Sequence, residues 1–89
     1  MKTWHVEFSE SAHKFLKKMD PGVRGLMLKW IRKNLEGCDN PRAHGKGLSG
    51  NLAGLWRYRV GDFRLIAEIQ DDRLVILMIE IGHRSEVYN

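Results

Sequence analysis

Residues 55–68 read LWRYRVGDFRLIAE, and this segment is the main evidence for the predicted fold. With a period of two, its aromatic residues fall on one face of a strand, whereas Arg57 and Arg59 fall on the other. The alternation breaks at Gly61-Asp62, so we expect the chain to turn back there. In the run that follows, Arg64 alternates with apolar residues in the same way. The sequence therefore predicts a tight hairpin on which three arginines share one patch of sheet surface.

The rest of the chain fits one small α+β domain, residues 1–89, with the element order βααβββ. Residues 3–8 alternate like a first strand, and Ser9 and Asp20 are N-cap residues followed by apolar side chains at helical spacing. The glycine-rich residues 38–54 are predicted to be a loop. Strands are then predicted at residues 55–60, 63–70 and 73–81. We expect an antiparallel sheet with a two-helix hairpin packed on one face, which leaves the arginine-bearing face largely open to solvent.

The composition excludes several classes of protein. The longest apolar run, residues 74–81, includes Glu80 and is far shorter than the ~20 residues that span a bilayer. The N-terminal residues lack the apolar segment of a signal peptide, and the single Cys38 cannot form an internal disulfide. We therefore expect a cytoplasmic protein with no membrane partner. Its net charge of +4 favours an anionic partner.

No motif in the sequence predicts a metal or a small-molecule cofactor. Residues 45–50 match the pattern G-x-G-x-x-G, but a helix precedes them and a strand follows, which reverses the order in a dinucleotide site. The four histidines show no metal-ligand spacing, and one cysteine cannot complete a thiolate site. We expect neither kind of group.

A polar cluster follows the last predicted strand in the sequence GHRSEVY, residues 82–88. It offers the imidazole of His83, the guanidinium of Arg84 and the phenol of Tyr88 within six residues. Taken alone, such a cluster is more often a frayed chain end than a site. Its interest depends on the neighbouring arginines.

The combination of GLWRYRVGDFRLIAEI with the C-terminal IGHRSEVY resembles the RelE group of the RelE/ParE superfamily, the small toxins of toxin–antitoxin pairs. The order βααβββ and the length agree with this resemblance over essentially the whole chain. The resemblance implies an endoribonuclease that cuts mRNA in the ribosomal A site, without a metal, and so inhibits translation. It also implies a cognate antitoxin that wraps the toxin and blocks its active face.

The resemblance further implies roles for particular residues, in two groups. The residues expected to be catalytic are Arg64, which would meet the scissile phosphate, and His83, Arg84 and Tyr88. The residues expected to bind the RNA are Lys46, Arg57 and Arg59. Lys46 lies in the neighbourhood where histidine-dependent members often have a glutamate, so the identity of the general base stays open.

Metal-free RNA cleavage needs a base for the ribose 2′-OH, an acid for the 5′-oxygen and positive charge at phosphorus. Arginine stays charged and donates two hydrogen bonds to phosphate, so we expect Arg64 and Arg84 to stabilise the transition state. An imidazole titrates near neutral pH, which makes His83 the expected base. Tyr88 is expected to act as the acid or to stack on a nucleotide base.

Two other functions fit the same fold. A ParE-like toxin would poison DNA gyrase and cut no RNA, although that branch generally lacks the full basic, histidine and tyrosine set. A degenerate member would bind only the antitoxin. Fold does not separate these alternatives.

Overall fold

Five strands and two α-helices form along residues 3–83, the part of the chain that the computed structural model describes. The elements are β1 (His5–Phe8), α1 (Glu10–Lys18), α2 (Pro21–Asn34), β2 (Lys46–Gly47), β3 (Trp56–Val60), β4 (Phe63–Gln70) and β5 (Val75–His83), with a 3₁₀ turn at Gly50–Leu52. Both helices pack on one face of the sheet, which confirms the predicted α+β architecture. Neither helix is long and apolar enough to cross a membrane, and the same holds for every helix within residues 3–83.

The two helices begin where their capping residues predict. The Ser9 side chain accepts a 3.1 Å hydrogen bond from the Ala12 backbone N–H, and Asp20 accepts one of 3.2 Å from Val23. Each cap satisfies a backbone donor that has no partner inside its helix. Pro21, at the first position of α2, has no N–H to satisfy.

The sheet has the order β1-β5-β4-β3-β2, and it is mixed. Strands β2 to β5 pair antiparallel, but β1 pairs parallel with β5 at one edge. The expectation of an antiparallel sheet was therefore wrong for the first strand. The helices and hairpins between β1 and β5 form a long crossover, and a crossover is what a parallel pair requires. Local alternation carries no information about this distant partner.

The core lies between the helices and the sheet. Its largest fully buried side chains are Tyr58, Met27, Leu35, Leu65, Ile76 and Met78. On the opposite face, Arg64 and Ile66 are also buried, at 8% and 5% exposure. The expectation of a largely open face was wrong at these two positions, because β4 is the central strand and neighbours flank it on both sides.

The segment predicted to be a loop, residues 38–54, is fastened to the sheet. Its residues Lys46–Gly47 form the short edge strand β2. The Trp56 indole donates a 2.7 Å hydrogen bond to the His44 carbonyl, and the Tyr58 hydroxyl donates one to the Pro41 carbonyl. Burial raises the pKa of Tyr58, so its hydroxyl remains a neutral donor. These contacts hold β2 in a fixed position beside β3.

A β-bulge interrupts β5. Ile66 pairs with Glu80 whereas Ala67 pairs with Met78, so Ile79 is an extra residue on β5. The Ser9 hydroxyl donates a 2.8 Å hydrogen bond to the Ile79 carbonyl. Beyond the bulge, the alternation of β5 has shifted by one residue, which determines the side of the sheet on which its last residues lie.

Candidate nucleic-acid interface

Four basic side chains share the face of the sheet that is turned away from the helices. Lys46 lies directly opposite Arg57, and Arg59 lies directly opposite Arg64. Directly paired residues project to the same side with their Cβ atoms about 5 Å apart, and residues two apart on a strand share a side. Lys46, Arg57, Arg59 and Arg64 are here named the basic face. The three arginines lie together as the hairpin pattern predicts, and β2 adds the lysine.

Electrostatics gives the basic face its chemical meaning. Like charges directly opposite each other across a sheet are destabilising, so the pairing of Arg59 with Arg64 does not serve the fold. Arg59 and Lys46 are exposed and Arg57 is half-buried, whereas Arg64 is 8% exposed. Guanidinium groups at graded depth suit an anion with several oxygens, which they bind through paired hydrogen bonds. The arrangement can hold the phosphates of a nucleic-acid strand.

Two residues of β5 complete this face. Gly82 lies directly opposite Arg64 and contributes no side chain, and Glu80 lies directly opposite Ile66. Glu80 is exposed. The sequence reading did not single out this carboxylate as functional. A glutamate inside an apolar strand is itself a signal of a bulge, because strict alternation would turn its charge into the core.

His83 lies on the other side of the sheet. It pairs directly with Phe63, and the two rings meet edge to face with centroids 5.5 Å apart. Phe63 faces the helices, where its ring contacts Phe15 at a centroid distance of 6.2 Å. This register does not bring His83 together with the arginines, and its catalytic role stays a prediction. The cause is strand parity: Gly82 shares the side of Arg64, and the next residue must point away.

Arg84 and Tyr88, the other two residues expected to be catalytic, lie outside the described residues. Their roles stay predictions. Within residues 3–83, no group of three or more His, Cys, Asp and Glu side chains is close enough together to hold a metal ion. Two further histidines also pack against aromatic rings, His13 beside Phe8 and His44 beside Trp30.

An apolar groove lies on the helical side, near the β3–β4 turn. It consists of two adjoining hollows of about 250 and 230 Å³, which share Val23 and Phe63 as lining residues. Phe15 and Met19 line the first hollow, and Leu26 lines the second. Leu26 is 69% exposed, although it is a large apolar side chain on a helix. Such a surface is typical of a protein contact.

Comparison with known proteins gives three kinds of match. A profile of the family described as the ParE toxin of the type II toxin–antitoxin system, parDE, matches residues 6–88. Toxin RelG of Mycobacterium tuberculosis is 28% identical over 83 residues, which cover 93% of each chain. A putative RelE-like toxin protein of Escherichia coli is 31% identical over 90 residues, with 97% of this chain and 90% of that protein covered.

The fold has a counterpart among solved structures. A chain of the toxin–antitoxin complex RelBE2 from Mycobacterium tuberculosis superposes with a TM-score of 0.83 at 27% identity, with 97% of each chain covered. Sequence motifs, architecture and relatives thus agree. The chain belongs to the ParE toxin family of type II toxin–antitoxin systems, as a RelE-type toxin of the RelE/ParE superfamily.

Proposed function

We propose that this toxin is an endoribonuclease that cuts mRNA in the ribosomal A site and so stops translation. The observation that carries the proposal is the basic face, where Lys46, Arg57, Arg59 and Arg64 project together from three neighbouring strands. Guanidinium and ammonium groups placed together in this way suit the phosphates of a nucleic-acid strand. The basic face supports a nucleic acid as the substrate, and the similarity to RelE-type toxins supports RNA cleavage as the reaction.

Each basic residue takes a part that its depth favours. Arg59 and Lys46, at the exposed edge, bind the phosphates that flank the cut. Arg64, at the centre, contacts the scissile phosphate. Because Arg64 is largely removed from water, its charge is less screened and acts more strongly on the negative charge that develops at phosphorus. Arg57 lies between them and positions the strand.

Positive charge on the opposite side of the molecule supports ribosome binding. Lys14, Lys17 and Lys18 are exposed on α1, away from its buried residues Ala12 and Leu16. Contacts between lysines and phosphates are additive and independent of sequence, which suits ribosomal RNA. We assign the basic face to mRNA and these lysines to the ribosome.

The protein partner that we propose is a cognate antitoxin. The RelBE2 chain that this fold matches was solved in a toxin–antitoxin complex. The toxin offers two surfaces that suit such a partner, the basic face for acidic side chains and the apolar groove for apolar ones. We place an apolar segment of the antitoxin over Leu26, whose exposed side chain otherwise contacts water.

A cleavage assay tests the proposed activity. Purified toxin is added to ribosomes programmed with a defined mRNA, and primer extension maps any cut to the codon in the A site. We expect cutting by the wild type and a strong loss for Arg59→Ala. The matched control is Arg73→Ala, which removes an exposed arginine from the β4–β5 turn, where Arg73 lies 3.7 Å from Glu7. Equal cleavage by Arg59→Ala and Arg73→Ala would show that the basic face does not take part in cleavage.

A second candidate function comes from the matching family, which is described as the ParE toxin. A ParE-like toxin would bind DNA gyrase and leave mRNA intact. Brief expression in cells followed by primer extension and by detection of double-strand breaks separates the two. Broken DNA with uncut mRNA would replace the ribonuclease proposal.

A further inference from the structure

We propose that Glu80 is the general base of the cleavage reaction, a role that rests on the proposed ribonuclease function. Arg57, Ile66 and Glu80 lie opposite one another in a row across three strands, so all three side chains project from the same side of the sheet. Glu80 is exposed, and a positioned carboxylate is one of the side-chain groups that act as a general base. His83, the base that the sequence suggests, projects from the other side against Phe63.

The bulge is the device that places this carboxylate. Without the extra residue Ile79, alternation from Ile76 and Met78 would turn Glu80 into the core and Ile81 out to solvent. Instead Ile81 is 4% exposed and belongs to the core. Bulges next to active sites re-aim side chains in this way. Because the bulge shifts the alternation by one residue, the Glu80 carboxylate lies on the side of the basic face instead of in the core.

The spacing across the row fits a nucleotide. Neighbouring strands lie about 4.8 Å apart, so about 10 Å separates Arg57 from Glu80, with Ile66 between them. Glu80 and Arg64 are diagonal neighbours, about 7–8 Å apart. A phosphodiester held by Arg64 would therefore have the 2′-OH of its adjacent ribose within reach of the carboxylate, and Gly82, opposite Arg64, contributes no side chain. Among the described residues, the charged groups on neighbouring strands that share the side of Glu80 include Arg64 and Glu68 on β4, Arg57 on β3 and Glu7 on β1.

The reaction balances with water as its only other reagent. The Glu80 carboxylate takes the proton of the ribose 2′-OH while the 2′-oxygen forms a bond to phosphorus. The bond from phosphorus to the 5′-oxygen breaks, and that oxygen keeps the electron pair and takes a proton from water. The proton that Glu80 then releases neutralises the hydroxide so formed. The products are a 2′,3′-cyclic phosphate and a 5′-hydroxyl.

A purely electrostatic role for Glu80 predicts the opposite result. Glu80→Gln removes a negative charge from the neighbourhood of four cations, which strengthens the attraction of RNA phosphates. If the carboxylate only moderates this charge, the variant binds RNA more tightly and cuts it at least as well. If the carboxylate moves the proton, the variant binds equally or more tightly and cuts slowly.

The test is single-turnover cleavage of A-site mRNA on programmed ribosomes, with ribosome affinity measured separately. We expect Glu80→Gln to lower the cleavage rate ~10²–10⁴-fold without weakening binding. Glu68→Gln is the matched control. It makes the same charge change at an exposed position of β4, on the side of the sheet that also carries Glu80. Formate, a small carboxylate, should restore part of the rate to Glu80→Ala and none to Glu68→Ala.

The outcomes separate the role of Glu80 from the function on which it rests. A wild-type protein that cuts no mRNA removes the ribonuclease function and this role with it. If the wild type cuts and Glu80→Gln retains a rate within about threefold of it, Glu80 is not the base and the ribonuclease function stands. The same holds if both glutamine variants lose equal activity, or if formate rescues neither alanine variant.

Discussion

The hydroxyl of Ser9 donates a 2.8 Å hydrogen bond to the carbonyl oxygen of Ile79, seventy positions away in the sequence. Ile79 is the extra residue of the β5 bulge, and a bulge leaves its backbone outside the regular ladder. Ser9 is also the N-cap of α1, through a 3.1 Å hydrogen bond from Ala12. One side chain thus fixes both the start of a helix and the point where β5 changes phase.

Replacing Ser9 should therefore affect stability and cleavage together. We expect Ser9→Ala to lower the free energy of unfolding by about 1–3 kcal/mol, because a cap is lost and the Ile79 carbonyl loses its donor. Ser9→Thr keeps both bonds and should behave like the wild type. Denaturant unfolding measures the first effect, and cleavage on programmed ribosomes measures the second.

The control for Ser9 is Asp20→Ala, which removes the N-cap of α2 without touching the bulge. It should cost about 1 kcal/mol and leave the cleavage rate of the folded protein unchanged. A Ser9→Ala protein that cuts mRNA as fast as Asp20→Ala would show that the bulge does not depend on this hydrogen bond.

Arg64 should tolerate neither loss of its charge nor loss of its shape. Arg64→Lys keeps the charge but loses the planar fork that binds two phosphate oxygens, and we expect a ~10²–10³-fold slower cut. Arg64→Ala should be slower still. Thermal unfolding of both variants checks that they fold, and Arg73→Lys serves as the control. Wild-type rates for Arg64→Lys would place the scissile phosphate elsewhere.

Gly45 should be indispensable for the position of β2. Its φ of +77° suits glycine, and a Cβ atom there would lie 2.2 Å from the Arg57 carbonyl oxygen and 2.9 Å from the Trp56 indole nitrogen. We expect Gly45→Ala to cost about 1–3 kcal/mol and to weaken RNA binding, because Lys46 is displaced. Gly25→Ala, which meets open space in α2, should instead stabilise the protein by about 0.5–1 kcal/mol. Unfolding curves of Gly45→Ala and Gly25→Ala measure these two opposite changes in stability.

Glu36 should make the fold sensitive to acid. Its carboxylate accepts hydrogen bonds from the Val6 backbone N–H and from the His5 ring, and these hold its pKa below the usual 4.5. The unfolded chain binds this proton more readily, so the contribution is present above about pH 4.5 and is lost as the pH falls through the lower folded-state value. As the pH is lowered from about 6 to about 3, the melting temperature should therefore fall less steeply for Glu36→Gln than for the wild type. Parallel curves for the two proteins would refute this role.

Leu26 should matter for the antitoxin and not for the fold. Leu26→Glu places a charge on the apolar groove, and we expect the dissociation constant of the antitoxin complex to rise at least ~10-fold. Because Leu26 is 69% exposed, the substitution should change the free energy of unfolding by less than about 0.5 kcal/mol. Leu52→Glu, at another exposed leucine, is the control. Calorimetry with the cognate antitoxin measures the affinity of both variants, and equal affinities would remove the groove from the interface.

Local chemistry in the sequence was enough to predict the helices, the β3–β4 hairpin and the grouping of its arginines. Capping residues act within one turn, and a strand of period two turns every second residue the same way, so these features need only neighbours along the chain. The grouping of Arg57, Arg59 and Arg64 follows from this period together with a tight turn at Gly61-Asp62.

The tertiary structure alone decided the features that depend on distant partners. Strand β1 is parallel because its partner is the last strand, and β2 exists because side chains of β3 fasten the preceding loop. The side on which Glu80 and His83 lie depends on the bulge, and the bulge is bonded to Ser9. No periodicity within β5 contains that contact, so the sequence alone could not tell which of these two side chains shares the side of the arginines.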